Sequence, residues 1–510
     1  MNIRQILFLA LTWCICGVSA AADLELFAPG KILPVVMAKD APQNTTRAGY
    51  DLILYLEKVS GQRPRLRTGE APELPDAAIW IGAHPALPRV FPGVDLSFQY
   101  PEETRIYCDG KNLLIIGKDV VRRNDKVVRQ CESGTANAIY TFIQDDLGVR
   151  WLWPGELGTD CPRLERLSIA PMDKRYHPQI LTRDLILQPK ISSDWLRCQR
   201  MLFASRDHLD YSPGSSGGHG FNDWWPRFCK SNPEYFALQP DGTRGTYPGP
   251  GVDNPKGDQY WAKKICKSNP AVWQQWVTDA LADLERNPRM NYPSAGASDG
   301  HNSGICVCPN CKAWDRLDAE PFTFYWKGKQ EEYVYLTDRY MTFWNHLAKL
   351  LKDKLPERDD VLVQAMAYGP STTPPLGEGL AQNTMLAFVS SFPFATPDSR
   401  QTNKERWLGW SKKAPNMFYR PNWWYFGGGV WCLPEVALQD LADDLHFLGE
   451  NGCMGLFIDG GTEAWCTAAP MYYLLAQLTW NCQADEKAIL KDYYQRGFGP
   501  AAAAIEEYWQ

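Results

Sequence analysis

Asp299 stands in Ser298-Asp299-Gly300-His301-Asn302, directly behind a short apolar run, and Asp459 and Glu463 follow another apolar run near the far end of the chain. A carboxylate at the C-terminal end of a strand faces the cleft of a parallel α/β sheet. Two of them across one cleft can cleave a glycosidic bond. One protonates the leaving oxygen, and the other activates water or attacks the sugar. The expected catalytic pair is Asp299 with Glu463, and Asp459 is the second choice of partner. Asp299-Gly300 and Asp459-Gly460-Gly461 also suit plain turns, and Glu463 a helix cap.

Arg183 lies inside an apolar run, where its charge needs an anion or carbonyls. A sugar carboxylate matches the guanidinium fork, and Asp184 or another core acid would serve as well. His219, Asn302, Tyr368, Arg420, Trp423, Trp424 and Trp465 are expected to bind substrate with it. Indole and phenol rings stack on the apolar faces of sugars, and Arg420 adds a second cation for an acidic one. His208, Asp210 and Asn222 supply further polar groups after the first strand. A base such as His219 or Tyr368 could instead remove the proton beside a uronate carboxyl, which is lyase chemistry.

The segment Cys306-Val307-Cys308-Pro309-Asn310-Cys311 can offer three thiolates to zinc or an iron–sulfur cluster, with Cys266 or His301 as a fourth ligand. Export argues the other way. Arg4 precedes the apolar run 6–18, and Val18-Ser19-Ala20 is a small-residue cleavage pattern, so 1–20 reads as a secretory signal and not a membrane span. A secreted or periplasmic chain favours a disulfide plus a free thiol at this segment. No metal and no cofactor is expected, and one or two bridges should stand among several buried thiols. Asn44-Thr45-Thr46 matches a glycosylation acceptor.

The positioning elements can be read from periodicity. Residues 23–172 read as an α/β unit: an edge strand at 32–37 carrying Pro34, a helix from Thr45 or Thr46 to Ser60 closed by Gly61, a strand at 78–82, a hairpin of 105–108 and 113–117 around Asp109-Gly110, and a helix at 136–146. From 178 to 510, apolar strands at 180–187, 294–298, 361–367, 385–390, 417–419 and 454–458 alternate with helices at 271–286, 333–355, 404–412, 434–450, 470–481 and 485–496. That alternation predicts an α/β fold, a (β/α)8 barrel behind a small α/β domain, with long loops at 211–265 over its mouth. The net charge of −6 carries no basic block, so a carbohydrate and not a nucleic acid is the expected partner.

Several stretches together resemble the bacterial family called domain of unknown function 4838: 145–158 (DDLGVRWLWPGELG), 232–238 (NPEYFAL), 266–270 (CKSNP), 298–312 (SDGHNSGICVCPNCK) and the closing 480–508. The front unit is similar to the non-catalytic domain before the barrel in α-glucuronidases and β-hexosaminidases. That resemblance implies a glycoside hydrolase of poly- or oligosaccharides with Arg183 holding the terminal sugar; the signal segment makes it an exported one, and Arg183 and Arg420 point to uronic or other acidic sugars. A non-catalytic glycan-binding protein is the other outcome the resemblance allows. β-Hexosaminidase-type barrels carry an Asp-Glu pair after the fourth strand. Here Gly300 follows Asp299, so the resemblance leaves Glu463 or Asp459 as second carboxylate.

Overall fold

The computed structural model describes residues 22–69, 75–119, 121–123, 126–129, 133–187, 193–201, 214–215, 219–245, 253–257, 259–286, 290–299, 304–327, 329–390, 392, 397–421, 437–461 and 465–509. Residues 1–20, expected to be a secretory signal, lie outside them.

A six-stranded mixed sheet comes first. Its spatial order is Met172–Tyr176, Thr104–Cys108, Leu113–Gly117, Ile79–Ile81, Val35–Met37 and Leu66–Thr68. The first two pairings are antiparallel and the remaining three parallel. Side-chain alternation sorts the strands between two faces. Val35, Met37, Ile79, Ile81, Leu113 and Ile115 lie in the main core with the helices Gln43–Ser60 and Gly134–Asp145, while Val36, Trp80, Leu114 and Ile116 form a second cluster with Leu87 and Phe91. Gly61 ends the first helix at φ 75°, a left-handed cap that costs glycine little. The expected hairpin forms, and Asp109 Oδ1 accepts from the amides of Lys111 and Asn112 at 2.7 and 2.6 Å.

The expected edge strand at 32–37 is two strands. Lys31–Ile32 belongs to a small separate sheet, and Val35–Met37 lies inside the six-stranded one, whose edge is Leu66–Thr68. Pro34 has no N–H and falls between them; its carbonyl accepts from Ile79 at 2.9 Å.

The second sheet is wholly parallel, in the order Thr182–Leu187, Cys453–Gly461, Met417–Tyr419, Thr384–Phe388 and Val363–Ala367. The strand earliest in sequence thus pairs with the last, Thr182 opposite Gly455. Beyond Val363–Ala367 one parallel bridge, Ser294 to Gln364, leads towards Met290–Tyr292, which pairs with Gly214–Ser215. Three of the strands are buried at every residue, as a sheet covered on both faces requires. Leu386, Phe388, Met417 and Tyr419 lie in the main core, whereas Met385, Ala387, Phe418 and Tyr292 form a cluster of their own. Helices Pro270–Arg286, Thr337–Lys354, Pro397–Ser411, Leu438–Glu450 and Trp465–Trp480 are interspersed with these strands along the chain, Val363–Ala367 and Thr384–Phe388 alone being joined without an α-helix among the described residues.

The helices expected at 404–412 and 470–481 start earlier, at Pro397 and Trp465, and two further expected elements of this unit change in kind. The helix expected at 333–355 starts at Thr337, because Tyr333 and Val334 close an antiparallel hairpin of Pro321–Trp326 and Lys329–Val334. The strand expected at 294–298 makes only the Ser294 bridge. No described helix is long and apolar enough to cross a membrane.

Candidate active site

Side-chain donors do most of the holding where a ladder was expected. Ala295 N–H still reaches Gln364 O at 2.9 Å. Beyond it, Trp276 from one helix donates its indole N–H to Ser294 O at 2.9 Å, and Trp344 from the next donates to Ala295 O at 3.0 Å. Gly220 N–H donates to Gly296 O at 3.0 Å. A Cβ at Gly220 would stand 2.1 Å from Ser294 O, so only glycine permits this approach. Lys264 Nζ then donates to the carbonyls of Ser298 and Asp299, the latter at 2.5 Å. Each such bond contributes roughly 1 kcal/mol, so the set fixes Asp299 without β-pairing.

Three of the expected residues meet there. Tyr368, directly behind the Val363–Ala367 strand, donates its hydroxyl to Asp299 Oδ1 at 3.3 Å. His219 lies 6.1 Å from Tyr368, ring centre to ring centre, and its Nδ1 bonds Ala297 O. A carbonyl only accepts, so Nδ1 carries the proton and Nε2 is left as an acceptor. Arg420 follows the Met417–Tyr419 strand; its amide donates to Phe388 O at 2.9 Å and its guanidinium lies 5.4 Å from the centre of the Phe457 ring.

Burial lowers the His219 pKa below its usual value, outweighing the Ala297 carbonyl and the Asp299 charge, and Arg420 adds to the lowering. Burial likewise pulls the Lys264 ammonium down to about 7, helped by Lys267 and opposed by Asp299. For His219 the unfolded chain binds a proton more readily than the folded one. Its contribution to stability is therefore complete above about pH 6.5 and is lost as pH falls through the lower folded value. The thermal midpoint is expected to drop between pH 7.5 and 5, and His219→Gln, which keeps an N–H for Ala297, should flatten part of that slope. Equal slopes in the two proteins would contradict it.

Arg183 is placed elsewhere, and its expected role as a substrate holder is corrected. It is 1% exposed. Its Nη2 donates to Glu102 of the six-stranded-sheet unit at 2.6 Å, its Nε to Arg200 O at 2.9 Å, and its Nη1 to Ile180 O and Leu181 O at 2.6 and 3.2 Å. Those bonds occupy the fork, and the guanidinium also lies 5.4 Å from the centre of the Trp480 ring. Trp465 packs against Trp195 and Tyr472 at 4.9 and 4.7 Å between ring centres, so aromatic packing takes up much of this half-buried ring. The side chains of Asp459 and Asp184 lie outside the described residues, as do Glu463, Asn302, Trp423, Trp424, His208, Asp210 and His301. Asn222 Oδ1 is buried with no hydrogen-bond partner among the described residues.

Sequence reasoning missed Lys264. Its signal is Lys263-Lys264-Ile265-Cys266-Lys267, where all three lysines are at most 6% exposed. The disulfide expected at Cys306, Cys308 and Cys311 is corrected: among the described residues eleven cysteines, these three included, are free thiols, while Cys131 and Cys432 lie outside the described residues.

The fold is shared with a solved glycoside hydrolase. Over 96% of its length the chain superimposes on a family GH115 4-O-methyl-α-glucuronidase with specificity for decorated arabinogalactans, at TM-score 0.55 and 13% identity. It spans 62% of that enzyme. Looser similarity extends to the Streptomyces plicatus N-acetyl-β-hexosaminidase (TM-score 0.44, 11% identity, 95% of this chain and 93% of that one). The β-N-acetylhexosaminidase of Bacteroides fragilis is comparable (TM-score 0.45, 12% identity, 96% and 93%). No curated protein sequence matches. The chain belongs to the family described as domain of unknown function DUF4838, whose model matches residues 153–510.

Proposed function

We propose that this protein is an exported glycoside hydrolase of poly- or oligosaccharides carrying uronic or other acidic sugars. The observation that carries the reading is the convergence of Asp299, Tyr368 and His219 behind parallel strands. Asp299 serves as general acid or base, Tyr368 orients it, and His219 Nε2 accepts from a sugar hydroxyl. Arg420 faces the sugar carboxylate. Arg183, committed to Glu102, lends this nothing. The second carboxylate is Glu463 or Asp459, assigned by position: Cys453–Gly461 contains Asp459, and Glu463 follows two residues on. Asn302, Trp423 and Trp424 complete the sugar-binding surface.

In this reading the parallel strands close into a (β/α)8 barrel over 178–510, with 23–172 as a separate α/β domain and 1–20 as a cleaved signal. Support comes from the pairing of first with last strand and from the inner cluster of Met385, Ala387 and Phe418. The fold shared with an α-glucuronidase favours the acidic-sugar class.

A panel of uronate-bearing and neutral glycans tests the proposal through its products. New reducing ends without ultraviolet absorbance support hydrolysis. An unsaturated, absorbing product would replace it with a lyase using His219 or Tyr368, and binding without product would replace it with a glycan-binding protein. Under hydrolysis Tyr368→Phe should lower kcat/KM by about tenfold, the equivalent of one hydrogen bond to a charged group. As the base of a lyase, Tyr368 would be indispensable.

A further inference from the structure

Four cysteines that the hydrolytic chemistry does not use come together behind Asp299. Cys306, Cys308 and Cys311 lie on the segment following it, and Cys266 stands next to Ile265, which bridges to Phe236. Their sulfurs all lie within 4.8 Å of one another. Cys266 Sγ is 3.7 Å from Cys308 Sγ and 3.9 Å from Cys311 Sγ. A disulfide brings its sulfurs to about 2.05 Å. Four thiolates placed tetrahedrally about zinc, at about 2.3 Å each, stand about 3.8 Å apart. The two Cys266 separations match edges of that tetrahedron, and all four sulfurs fall within 4.8 Å.

The surroundings suit thiolates. Leu238 N–H points at Cys306 Sγ at 3.3 Å, Cys311 N–H at Cys308 Sγ at 3.4 Å, and the Ser268 hydroxyl lies 3.1 Å from Cys311 Sγ. Lys267 and Arg339 are buried beside Cys306 and Cys311, lining one small cavity with them. The Lys267 charge offsets part of the net negative charge of one divalent ion with four thiolates, the Arg339 charge being shared with Asp315. Arg339 also donates to Cys306 O at 2.8 Å and forks onto Asp315 at 2.7 and 2.5 Å, which fixes the chain at the first of the three cysteines.

We propose that Cys266, Cys306, Cys308 and Cys311 bind one structural zinc ion. The spacing leaves room for a single ion and none for bridging sulfides. Four protein ligands close the coordination sphere, so the ion is a staple and not a catalyst. It joins the segment behind Asp299 to the one that carries Lys264, whose ammonium holds the Asp299 carbonyl. The site does not depend on the hydrolase reading.

Elemental analysis of the full-length protein, purified without chelator, tests it. One zinc per chain is expected. Cys308→Ser should lose the metal, while Cys229→Ser, at a buried cysteine elsewhere, should keep it. Exchange with cobalt(II) should give the visible bands of a tetrahedral thiolate site, and stripping the zinc with a mercurial should lower the thermal midpoint. The wild-type metal content decides even if Cys308→Ser fails to fold. Iron in place of zinc, no bound metal, or recovery of these four cysteines as disulfides by alkylation and mass spectrometry overturns the assignment.

Discussion

Asp299→Asn is expected to lower kcat on a cleaved glycan by about 10²–10⁴-fold, the usual contribution of a positioned acid or base. The substitution keeps shape and keeps an acceptor for the Tyr368 hydroxyl, and it does not disturb the bonds from Lys264, which end on backbone carbonyls. Fold and thermal midpoint should therefore change little. KM should also change little, because the proton transfer that Asp299 performs belongs to the transition state and not to binding. Steady-state kinetics by reducing-end release measure both constants. Unchanged turnover would remove Asp299 from the chemistry and move attention to the second carboxylate.

The largest stability effect is expected at Arg183. Arg183→Met leaves Glu102 buried without its cation, and breaking one side of a buried ion pair costs about 3–5 kcal/mol. The urea midpoint should fall accordingly. Glu102→Gln added to Arg183→Met removes the orphaned charge, and part of the loss should be recovered, the remainder being the carbonyls of Arg200, Ile180 and Leu181 left without their donor in both variants. Gln retains an acceptor for Asn137 Nδ2, which Glu102 accepts at 3.2 Å, and its side chain differs little from that of Glu at this left-handed position, φ 52°. The double variant thus isolates the charge. If Arg183→Met instead keeps its midpoint and raises KM alone, the residue holds substrate after all.

The parts legible in the sequence are those governed by local rules. Strand 417–419 forms with the expected bounds, Gly61 caps its helix, and Asp109-Gly110 turns its hairpin. Tyr368 and Arg420 stand directly behind apolar runs, and a parallel sheet presents such residues on one side, where the loop bearing His219 joins them. The failures have long-range causes. The need of Arg183 for an anion is readable, but Glu102 lies 81 residues upstream in another sheet unit. The segment at 294–298 has a strand's composition, yet indoles from two helices and a lysine satisfy its carbonyls instead of a neighbouring strand. Three of the four clustered cysteines are visible as a spacing, but their distance from Cys266 in space is not, and export by itself then favours a disulfide.

The helix that follows the last parallel strand, Trp465–Trp480, has a consequence for biogenesis. Gln477 exchanges hydrogen bonds with Gln144, 333 residues earlier, and Trp480 O accepts from the Tyr176 hydroxyl across 304 residues at 2.5 Å. Contacts of such sequence separation form late, because the chain between them must be ordered first. The six-stranded sheet can acquire its own hydrophobic faces while the rest is still being synthesised. The surface that receives Gln477 and Trp480 stays uncovered until the chain has emerged past residue 480. A nascent chain is thus half-assembled for most of the translation of these residues, and its open edge carries apolar groups such as Leu152 and Trp153 beside the Gln144 amide.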